Sequence, residues 1–557
     1  MAFEERVQEL VADFSGPDAC AAELLCDRHP GAHTAFTIVQ PDLTHRALSF
    51  GELKSASTRF AAALAGLGVK QGDTVATLMG KSAELVVALL AIWRLGAVHV
   101  PLFTAFASDA VFYRLNASAC RLVIVDADQR GKLVPAGGTP QDATPLAVVV
   151  GGEAFGHDLS FAGLLAAEDD DGGAPAAAAV GGGGELVRLF TSGTTGAPKG
   201  VPVPLRAVAS FVAYQEFGLD VLPTDVFWNA ADPGWAYGLY FAILAPLAAG
   251  IPSILVQSGF SAELTWRVLE RFKVTNFAAA PTIYRTLRAG AAAGAGPAGT
   301  ADGGPGGTAA ARLRHPLRRA SSAGEPLTPD VIGWAEEAFG IPVRDHYGQT
   351  EHGMVAGNAW QPDLQEPLRP GSMGRSLPGW TAAILDPVAD TIAAPGTVGR
   401  VAIDVPASPL MWFSRYANAP EQSADRFSPD ERWYLTGDAG HSDADGYLYF
   451  SARDDDVIIM SGYRIGPFDV ESVLVTHPAV AEAAVVGAPD ELRGEVLEAF
   501  VVLNAGHTGS PALTAELQRL VKDRFAAHAY PRQVHYLPEL PKTPSGKVQR
   551  YVLRRRR

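Results

Sequence analysis

The decapeptide from Thr191 to Gly200, TSGTTGAPKG, has the composition of an anion-binding loop. Apart from Ala197, Pro198 and the cation Lys199, it consists of glycine and hydroxyl-bearing residues. Glycine lets the backbone come close to an anion, and successive N–H and hydroxyl groups can surround phosphate oxygens. It is not a Walker loop, because Lys199 stands between proline and glycine. A flexible surface loop has a similar composition, so the decapeptide alone leaves both interpretations open.

Six more motifs follow this loop and bring further groups suited to phosphate and metal chemistry. In chain order they are AGEP (323–326), YGQTE (347–351), YLTGD (434–438), RDDD (453–456), SGYRI (461–465) and PKTPSGK (541–547). Carboxylates supply hard oxygen ligands for Mg²⁺, while arginine and lysine suit polyphosphates. Taken singly, each motif has an ordinary alternative. Asp438 could cap a turn, Glu351 could be a surface carboxylate, and Lys547 could be solvated near the end of the chain.

The composition predicts a folded globular chain and narrows the possible partners. With 557 residues and 48% apolar residues, the chain is long enough for roughly two to four structural units. The net charge of −15 argues against nucleic-acid binding. Three cysteines provide no disulfide framework and favour a reducing compartment. We find no signal peptide and no apolar run near ~20 residues, so we expect a cytoplasmic protein without stable membrane insertion.

Alternating strand-like and helix-like segments predict an α/β fold with parallel-rich sheets and flanking helices. The clearest helix spans 50–67, where Ser49 and Glu52 have the spacing of a capping box and Gly68 follows the last turn. Further helices are predicted at 83–95, 239–245, 468–476 and 513–528. Strands are predicted at 74–79, 97–100, 122–125, 481–486 and 499–503.

Two stretches of low complexity and a change near residue 454 suggest the domain organisation. Residues 288–311 are almost wholly Gly, Ala, Pro and Thr, which predicts a mobile loop, and 174–184 are expected to form a linker. We predict a large N-terminal domain over 1–454 and a small, mobile α+β domain over 455–557. The arginine run 554–557 is expected to be a solvated tail, with a polyanion contact as the alternative.

Together, the seven motifs resemble the acyl-adenylate-forming superfamily of acyl-CoA synthetases, peptide-synthetase adenylation domains and luciferases. The likeness covers nearly the whole chain, and the segments GYRIGP (462–467) and YPR (530–532) look most like the medium-chain acyl-CoA synthetases. The resemblance implies ATP, Mg²⁺ and coenzyme A. A carboxylic acid first attacks ATP to give an acyl-adenylate and pyrophosphate, and the thiol of CoA then displaces AMP. Because the first step joins two anions, it requires cationic screening and in-line positioning.

The resemblance also implies roles in the first step. Lys547 holds the carboxylate and the α-phosphate, Glu351 is a catalytic residue and the Mg²⁺ ligand, and Thr194 is a catalytic residue of the Gly-rich loop. Asp438 accepts hydrogen bonds from the ribose hydroxyls. The complete predicted nucleotide-binding set is Thr191, Ser192, Gly193, Thr195, Gly196, Lys199, Gly324, Glu325, Pro326, His346, Tyr347, Gly348, Gln349, Thr350, Asp438 and Arg453.

For the second step, the resemblance implies a rotation of the C-terminal domain about a hinge at Asp455, so that Lys547 leaves and CoA enters. The residues predicted to contact CoA are Ser461, Gly462, Tyr463, Arg493, Lys522, Tyr530 and Arg532. Arg464 is assigned either to CoA or to the acyl-adenylate. Acetylation of Lys547 by a lysine acetyltransferase, which removes its charge, is a further expectation at the family level.

The predicted acyl pocket bears on which acid is bound, and the chain departs from the family pattern at two positions. Acetate-specific relatives have tryptophan where this chain has Gly348, so we expect room for a medium-chain fatty acid or an aryl acid. Trp235 is predicted to line the pocket, whereas Tyr237 and Tyr240 could line it or belong to the core. Ala452 replaces the usual glycine before Arg453, with little expected effect. His352 replaces threonine and could alter the acyl or metal site or simply be packed.

Three other functions remain possible on the sequence. An adenylation enzyme could load the phosphopantetheine of a carrier protein, a luciferase-like oxygenase could consume the adenylate, and a nucleotide-binding protein could lack turnover. The arginine and lysine positions expected for CoA favour an acyl-CoA synthetase over the first. Intact Lys547 and Glu351 favour catalysis over the last.

Overall fold

The computed structural model describes residues 3–134, 146–152, 156–166, 175–191, 198–292, 312–453, 456–460, 463–490, 493–526, 528–542 and 547–556. Its helices are α1 Phe3–Ser15, α2 Phe50–Gly66, α3 Ala83–Arg94, α4 Ser108–Ala117, α5 Phe161–Ala166, α6 Val208–Phe217, α7 Ala236–Gly238, α8 Ala245–Ala249, α9 Ala262–Phe272, α10 Pro281–Ala292, α11 Pro329–Phe339, α12 Pro420–Ala424, α13 Pro467–Leu474, α14 Pro511–Arg524 and α15 Arg550–Arg554.

The largest sheet in the described part of the chain has thirteen strands. They are β1 Thr34–Val39, β2 His45–Ser49, β10 Phe227–Asn229, β11 Ser253–Val256, β12 Asn276–Ala279, β13 Arg319–Ala323, β14 Arg344–Gln349, β15 Gly353–Gly357, β16 Ser372–Ser376, β17 Ala382–Leu385, β18 Gly399–Asp404, β19 Trp433–Ser442 and β20 Leu448–Arg453. The order is β17-β18-β19-β20-β16-β15-β14-β13-β12-β10-β11-β1-β2, with parallel pairing from β1 through β11, β10, β12 and β13 to β14.

A second, seven-stranded sheet of the described residues has the order β7-β6-β5-β3-β4-β8-β9 and is parallel except for the β8–β9 pair. Its strands are β3 Thr74–Leu78, β4 Val98–Pro101, β5 Leu122–Asp126, β6 Leu146–Val150, β7 Leu159–Ser160, β8 Glu185–Thr191 and β9 Lys199–Pro204. Helix α3, buried at every residue except Glu84, accompanies this sheet and contacts α2. Helices α1 to α12 and the two sheets form the large N-terminal lobe.

The small C-terminal lobe is built on a separate sheet of five described strands. They are β21 Ile458–Met460, β22 Tyr463–Ile465, β23 Val480–Asp490, β24 Gly494–Leu503 and β25 Gln533–Tyr536. Leu513, Leu517 and Val521 place the apolar face of α14 in the core of this lobe, as their spacing predicts. The predicted α/β fold with a small α+β domain is thereby confirmed.

Local sequence signals predict several elements closely. At the start of α2, the Ser49 N–H donates to Glu52 Oε2 at 2.7 Å and the Glu52 N–H donates to Ser49 Oγ at 3.2 Å, which is the predicted capping box. The apolar run predicted as a helix over 239–245 is a π-helix, Leu239–Leu244, that continues into α8. Helix α14 ends at Arg524, four residues before the predicted end at 528.

The predicted linker at 174–184 is wrong for its described part, 175–184, which packs against α1 and leads into β8. Ala179 forms a β-bridge with Cys20, and the Gly182 N–H donates to Gly16 O at 2.9 Å. A Cβ on Gly182 would lie 2.5 Å from Ser15 Cα, so the small residues allow this close approach. Most of the predicted mobile loop, 293–311, lies outside the described residues. No helix in the described ranges is long and apolar enough to cross a lipid bilayer.

Candidate active site

Asp438 is a carboxylate of the cleft that accepts three side-chain hydrogen bonds. It lies on β19 opposite Arg453 of β20, whose Nη1 donates to Asp438 Oδ1 at 2.9 Å. The Tyr347 hydroxyl and the Gln349 side-chain amide both donate to Asp438 Oδ2 at 2.6 Å. The negative charge of Asp438 raises the pKa of Arg453, and burial followed by that charge raises the pKa of Tyr347. These groups therefore form a preorganised polar surface, as the sequence predicts for the ribose site.

The turn before Asp438 depends on a glycine. Gly437 has φ +72°, in the left-handed region, and a Cβ there would lie 2.5 Å from Arg426 Nη1. The Thr436 hydroxyl accepts from the Asp438 N–H at 3.1 Å and donates to Val401 O at 2.8 Å. The sequence Thr-Gly-Asp thus fixes the direction of the aspartate side chain.

Glu351 is buried and is held by two residues that the sequence motifs do not include. The Tyr416 hydroxyl donates to Glu351 Oε1 at 2.8 Å, and Arg426 Nε donates to the Tyr416 hydroxyl oxygen at 3.0 Å. The Lys199 ammonium lies 5.0 Å from the centre of the Tyr416 ring, so the last part of the Gly-rich loop reaches the same place. Burial, and then the charge of Arg426, lowers the pKa of Lys199.

The donor set fits an ion that is shared with phosphates. The described residues contain no group of three or more His, Cys, Asp or Glu side chains that could hold a metal ion. Mg²⁺ is commonly bound by one or two carboxylates together with substrate phosphates and water. Glu351 is suited to that arrangement, because the other two carboxylates of the cleft, Glu325 and Asp438, are bonded to Arg285 and Arg453.

Glu325, in the turn after β13, is fixed by helix α10. Arg285 Nη2 donates to Glu325 Oε2 at 2.6 Å, and the Thr282 hydroxyl donates to Glu325 Oε1 at 2.9 Å. Gly324, which precedes it, has φ +98°. The predicted Gly-Glu-Pro turn is therefore held in place by side chains about 40 residues earlier in the sequence, which no local pattern indicates.

Lys547 belongs to the C-terminal lobe but takes part in the electrostatics of this cleft. Burial lowers the pKa of its ammonium group, and the charge of Arg453 lowers it further. Three carboxylates act in the opposite direction: Glu325, Asp438 and Glu351. Lys547 nevertheless keeps contact with solvent, so the protein around it lowers its pKa without enclosing the side chain. Lys547 and the three carboxylates singled out in the sequence therefore share one site.

The aromatic residues considered for the acyl pocket divide into two groups. Trp235 is partly exposed and contacts Phe103 and Phe106, with ring centres 5.2 and 5.7 Å away. Tyr240 is fully buried, stacks on Phe211 at 4.1 Å and donates to Thr350 O at 3.0 Å. Tyr240 is therefore a core residue, whereas Trp235 remains available to line a pocket.

Gly348 has a structural reason that differs from the predicted one. A Cβ at this position would lie 2.0 Å from Gly353 O and 2.7 Å from Met354 Cα, because β14 and β15 approach closely at a bulge. A side chain at 348 would require the backbone of this hairpin to shift, so the close approach of the two strands is a second reason for glycine here. The missing side chain at 348 is not by itself a sign of a deep acyl pocket.

Both histidines near the YGQTE motif are packed in the core. His346 Nδ1 lies 2.6 Å from the Tyr214 hydroxyl oxygen and Nε2 lies 3.3 Å from Asn358 O. This corrects the prediction that the His346 side chain lines the nucleotide site. His352 is fully buried beside the Tyr434 ring, which confirms its packed interpretation. Burial lowers the pKa of each imidazole to about 3, so both are neutral near pH 7.

The predicted CoA contacts of the C-terminal lobe form a cationic cluster around Tyr530. The Lys522 ammonium and the Arg532 guanidinium lie 3.9 and 3.8 Å from the centre of its ring. Burial, and then the charge of Arg493, lowers the pKa of Arg532, so Arg493 adds to the same positive region. Of the other predicted contacts, Tyr463 and Arg464 lie on β22 opposite Met460 and Ile459.

Part of the predicted site lies outside the described residues: Ser192, Gly193, Thr194, Thr195, Gly196, Asp455, Ser461 and Gly462. Thr191 and Lys199, at the two ends of the Gly-rich segment, are register partners of the antiparallel β8–β9 pair. The two strand ends that flank the segment are therefore paired, and Lys199 lies beside the Tyr416 ring. Its residues stay predicted, not observed, contacts.

Comparison with known proteins agrees with this geometry. Residues 23–410 match the model of the AMP-binding enzyme family, and residues 469–547 match that of the AMP-binding enzyme C-terminal domain. The chain belongs to the AMP-binding enzymes. Within them it is an acyl-CoA synthetase, an AMP-forming acid–thiol ligase that uses ATP, Mg²⁺ and CoA.

Relatives of this AMP-binding enzyme are similar along almost their full length. It is 36% identical over 516 residues to the acetyl-coenzyme A synthetase of Bacillus subtilis (strain 168), covering 91% of this chain and 84% of that protein. The acyl-CoA synthetase of Brucella canis is 41% identical, with a TM-score of 0.73 and coverage of 99% and 97%. An anthranilate CoA ligase, AuaEII, in complex with anthranoyl-AMP is 27% identical, with a TM-score of 0.83 and coverage of 98% of both chains.

Proposed function

We propose that this acyl-CoA synthetase activates a medium-chain fatty acid or an aryl carboxylic acid, with Lys547, Glu351 and Asp438 as the central residues of the first step. The observation that supports these roles is the convergence of the Lys547 ammonium with Glu325, Asp438 and Glu351 in one cleft. Residues of both lobes thus meet in one cleft, which supports a nucleotide site between the lobes.

In the first step, an oxygen of the substrate carboxylate forms a bond to the α-phosphorus of ATP, and the bond to the bridging oxygen of pyrophosphate breaks. The Lys547 ammonium neutralises the repulsion between carboxylate and phosphate. Mg²⁺, when bound, neutralises further charge on the phosphates, and Glu351 is its protein ligand. Asp438 holds the ribose through its hydroxyls, and Arg453 balances the charge of Asp438 at 2.9 Å.

In the second step, the thiol sulfur of CoA attacks the acyl carbon, AMP leaves, and the thiol proton is released. The domain boundary at 454/455, with Asp455 as the hinge, lets the C-terminal lobe turn so that Lys547 leaves the cleft. The positive region of Arg493, Lys522 and Arg532 then holds the CoA phosphates. Two cationic side chains over the Tyr530 ring, with Arg493 near Arg532, favour this ligand over a carrier protein's single phosphopantetheine phosphate.

Trp235 with Phe103 and Phe106 supports an acyl group larger than acetate, since the three rings form an apolar aromatic wall. A related solved structure is an anthranilate CoA ligase, which acts on an aryl acid. A related curated protein is an acetyl-coenzyme A synthetase, so the size of the acid is the point to test.

The test is pyrophosphate release and mass-spectrometric detection of the CoA thioester with acetate, butyrate, octanoate, benzoate and anthranilate. We expect kcat/KM for octanoate or for an aryl acid to exceed that for acetate by about tenfold or more, since apolar contacts discriminate roughly tenfold to 200-fold per group. A preference for acetate over all the others would contradict the proposed substrate class. Luminescence or oxygen uptake, instead of a thioester, would indicate the oxygenase function.

We also propose that acetylation of Lys547 switches the enzyme off and that the enzyme works in the cytoplasm. The solvent exposure of Lys547 supports access by an acetyltransferase, and the acetyl group removes its positive charge. Acetylated enzyme should release less pyrophosphate, and treatment with a deacetylase should restore the rate. Full activity of the acetylated enzyme would contradict the switch.

A further inference from the structure

Helix α15, which follows Lys547, is tied to the start of the C-terminal lobe by two arginines. Arg554 Nη2 donates to Asp456 Oδ1 at 2.5 Å, and Arg550 Nη1 lies 3.7 Å from Asp456 Oδ2. Arg554 is thereby partly buried, with 34% of its side chain exposed, so the predicted solvated tail is wrong at its first residue. Asp456 is the residue directly after Asp455, the predicted hinge.

Arg550 also contacts a residue in the core of the C-terminal lobe. Arg550 Nη2 donates to Glu471 Oε1 at 2.7 Å and to Oε2 at 2.9 Å. Glu471 is a buried residue of α13, and its Oε1 also accepts from the Val485 N–H of β23 at 2.7 Å. We call Arg550, Arg554, Asp456 and Glu471 the C-terminal clasp.

We propose that the C-terminal clasp positions Lys547 relative to the pivot of the lobe, and that Arg550 and Arg554 are positioning residues for adenylate formation. This inference rests on the proposed role of Lys547. Two residues separate Lys547 from Arg550, and the segment between them is fixed by the Gln549 N–H, which donates to Pro541 O at 2.8 Å. On the other side of the pivot, Arg453 is fixed to the N-terminal lobe by Asp438.

The C-terminal clasp should affect the rate of adenylate formation but not that of thioester formation. Adenylate formation requires the Lys547 ammonium at a defined distance from two reacting anions, and an error of about 1 Å can reduce such a rate by up to a hundredfold. Thioester formation takes place after Lys547 has left, so it does not depend on that distance. A loosened clasp should therefore slow the first half-reaction selectively.

The experiment compares both half-reactions in Arg554→Ala and Asp456→Asn enzymes, using the acid that releases most pyrophosphate in the panel above. We expect kcat for pyrophosphate release to fall about tenfold, with KM for the acid changed less than about twofold. Thioester formation from supplied acyl-adenylate and CoA should also change less than about twofold. The double variant should be no slower than either single variant, because both break the same contact. Arg556→Ala, which removes the same charge from an exposed neighbour, should leave both steps unchanged.

Asp456→Asn conserves the shape of the side chain, and Arg554→Lys can keep the single hydrogen bond to Asp456. Both variants therefore distinguish a positioning role from loss of the folded structure. Arg554→Lys should recover most of the pyrophosphate rate. Equal loss in both half-reactions, or no loss in either, would overturn the clasp. Lys547→Ala is measured in parallel: if it forms adenylate normally, the role of Lys547 fails and the clasp with it. If only the Lys547 variant is slow, the clasp alone fails.

Discussion

The two faces that this enzyme offers to its nucleotides are built in opposite ways. On the N-terminal lobe, Asp438 is buried and receives hydrogen bonds on both oxygens from Arg453, Tyr347 and Gln349. On the C-terminal lobe, the cation Lys522 is exposed and lies over the half-buried ring of Tyr530. The first face is fixed before substrate arrives, while the second is a solvated surface whose long side chains can adjust.

Because of this difference, the two half-reactions should respond differently to mutation and to salt. Buried, hydrogen-bonded charges act strongly and are screened little by salt, whereas exposed charges contribute less and are screened over about 8 Å at physiological ionic strength. Variants of the Asp438 face should therefore cause large losses that depend weakly on salt. Variants of the Tyr530 cluster should cause small losses that salt reduces further.

The largest effect is expected for Asp438→Asn. The change keeps the shape of the side chain but removes the negative charge that balances Arg453. It also replaces one oxygen by an NH2 group, which at the Oδ2 position would face two hydrogen-bond donors, Tyr347 and Gln349. We expect kcat/KM for ATP in pyrophosphate release to fall about a hundredfold or more, as for other preorganised electrostatic groups. Asp445→Asn, at an exposed aspartate paired with Arg369, is the matched control. A loss below about tenfold would show that the buried face is not preorganised for the ribose.

A smaller effect is expected for Tyr416→Phe. The variant removes the hydroxyl that donates to Glu351 and accepts from Arg426. Glu351 then loses one oriented hydrogen bond, and we expect about a tenfold decrease in pyrophosphate release with a higher Mg²⁺ requirement. The measurement is a Mg²⁺ titration of the wild-type enzyme and the variant, with Tyr449→Phe as the control. An unchanged Mg²⁺ requirement would contradict a role of Tyr416 at the metal site.

The variant Lys522→Ala tests the solvated face on the C-terminal lobe. We expect KM for CoA to rise about threefold to tenfold at low salt, and the difference from wild type to shrink as salt is added. Pyrophosphate release without CoA should not change. Lys70→Ala, at an exposed lysine of the N-terminal lobe, controls for net charge. A loss of adenylate formation in Lys522→Ala would contradict the division of the two faces.

The smallest effect concerns pH. Burial and Arg453 lower the pKa of Lys547 below 10.5, so raising the pH neutralises this ammonium earlier than that of a solvated lysine. The neutral amine cannot screen two anions. We therefore expect kcat/KM for adenylate formation to fall on an alkaline limb that starts below pH 10.5, and this limb should be absent for supplied acyl-adenylate. The same limb in Lys547→Ala would assign it to another group.

The sequence predicts what local patterns determine. Ser49 and Glu52 are three residues apart, so their capping box is visible without the fold, and Gly437 stands in a motif whose turn requires it. The contact between Tyr347 and Asp438 joins residues 91 positions apart, and the motif resemblance brought them together where spacing could not. Tyr416 and Arg426 lie in none of the seven motifs, and no signal in a single sequence identifies them.

Tertiary contacts also explain where the sequence-based predictions fail. For Gly348 the interpretation through the acyl pocket stays a prediction, and the close backbone of Gly353 gives a second reason for glycine. His346 was expected at the nucleotide, but Tyr214, from a distant helix, holds it in the core. Arg554 was expected in solvent, but Asp456, 98 residues earlier, accepts its hydrogen bond. For His346 and Arg554 the deciding partner is remote in the sequence, whereas Gly353 lies across the β14–β15 hairpin from Gly348.

The most direct test of the account compares the two half-reactions in Lys547→Ala and in Lys542→Ala, a nearby lysine that pairs with Glu482. The Lys547 variant should release pyrophosphate at least about a hundredfold more slowly than wild type, while it converts supplied acyl-adenylate and CoA to thioester at a rate within about threefold of wild type. The Lys542 variant should retain both rates. Equal losses in both half-reactions of Lys547→Ala, or none, would contradict the claim that Lys547 acts in adenylate formation alone.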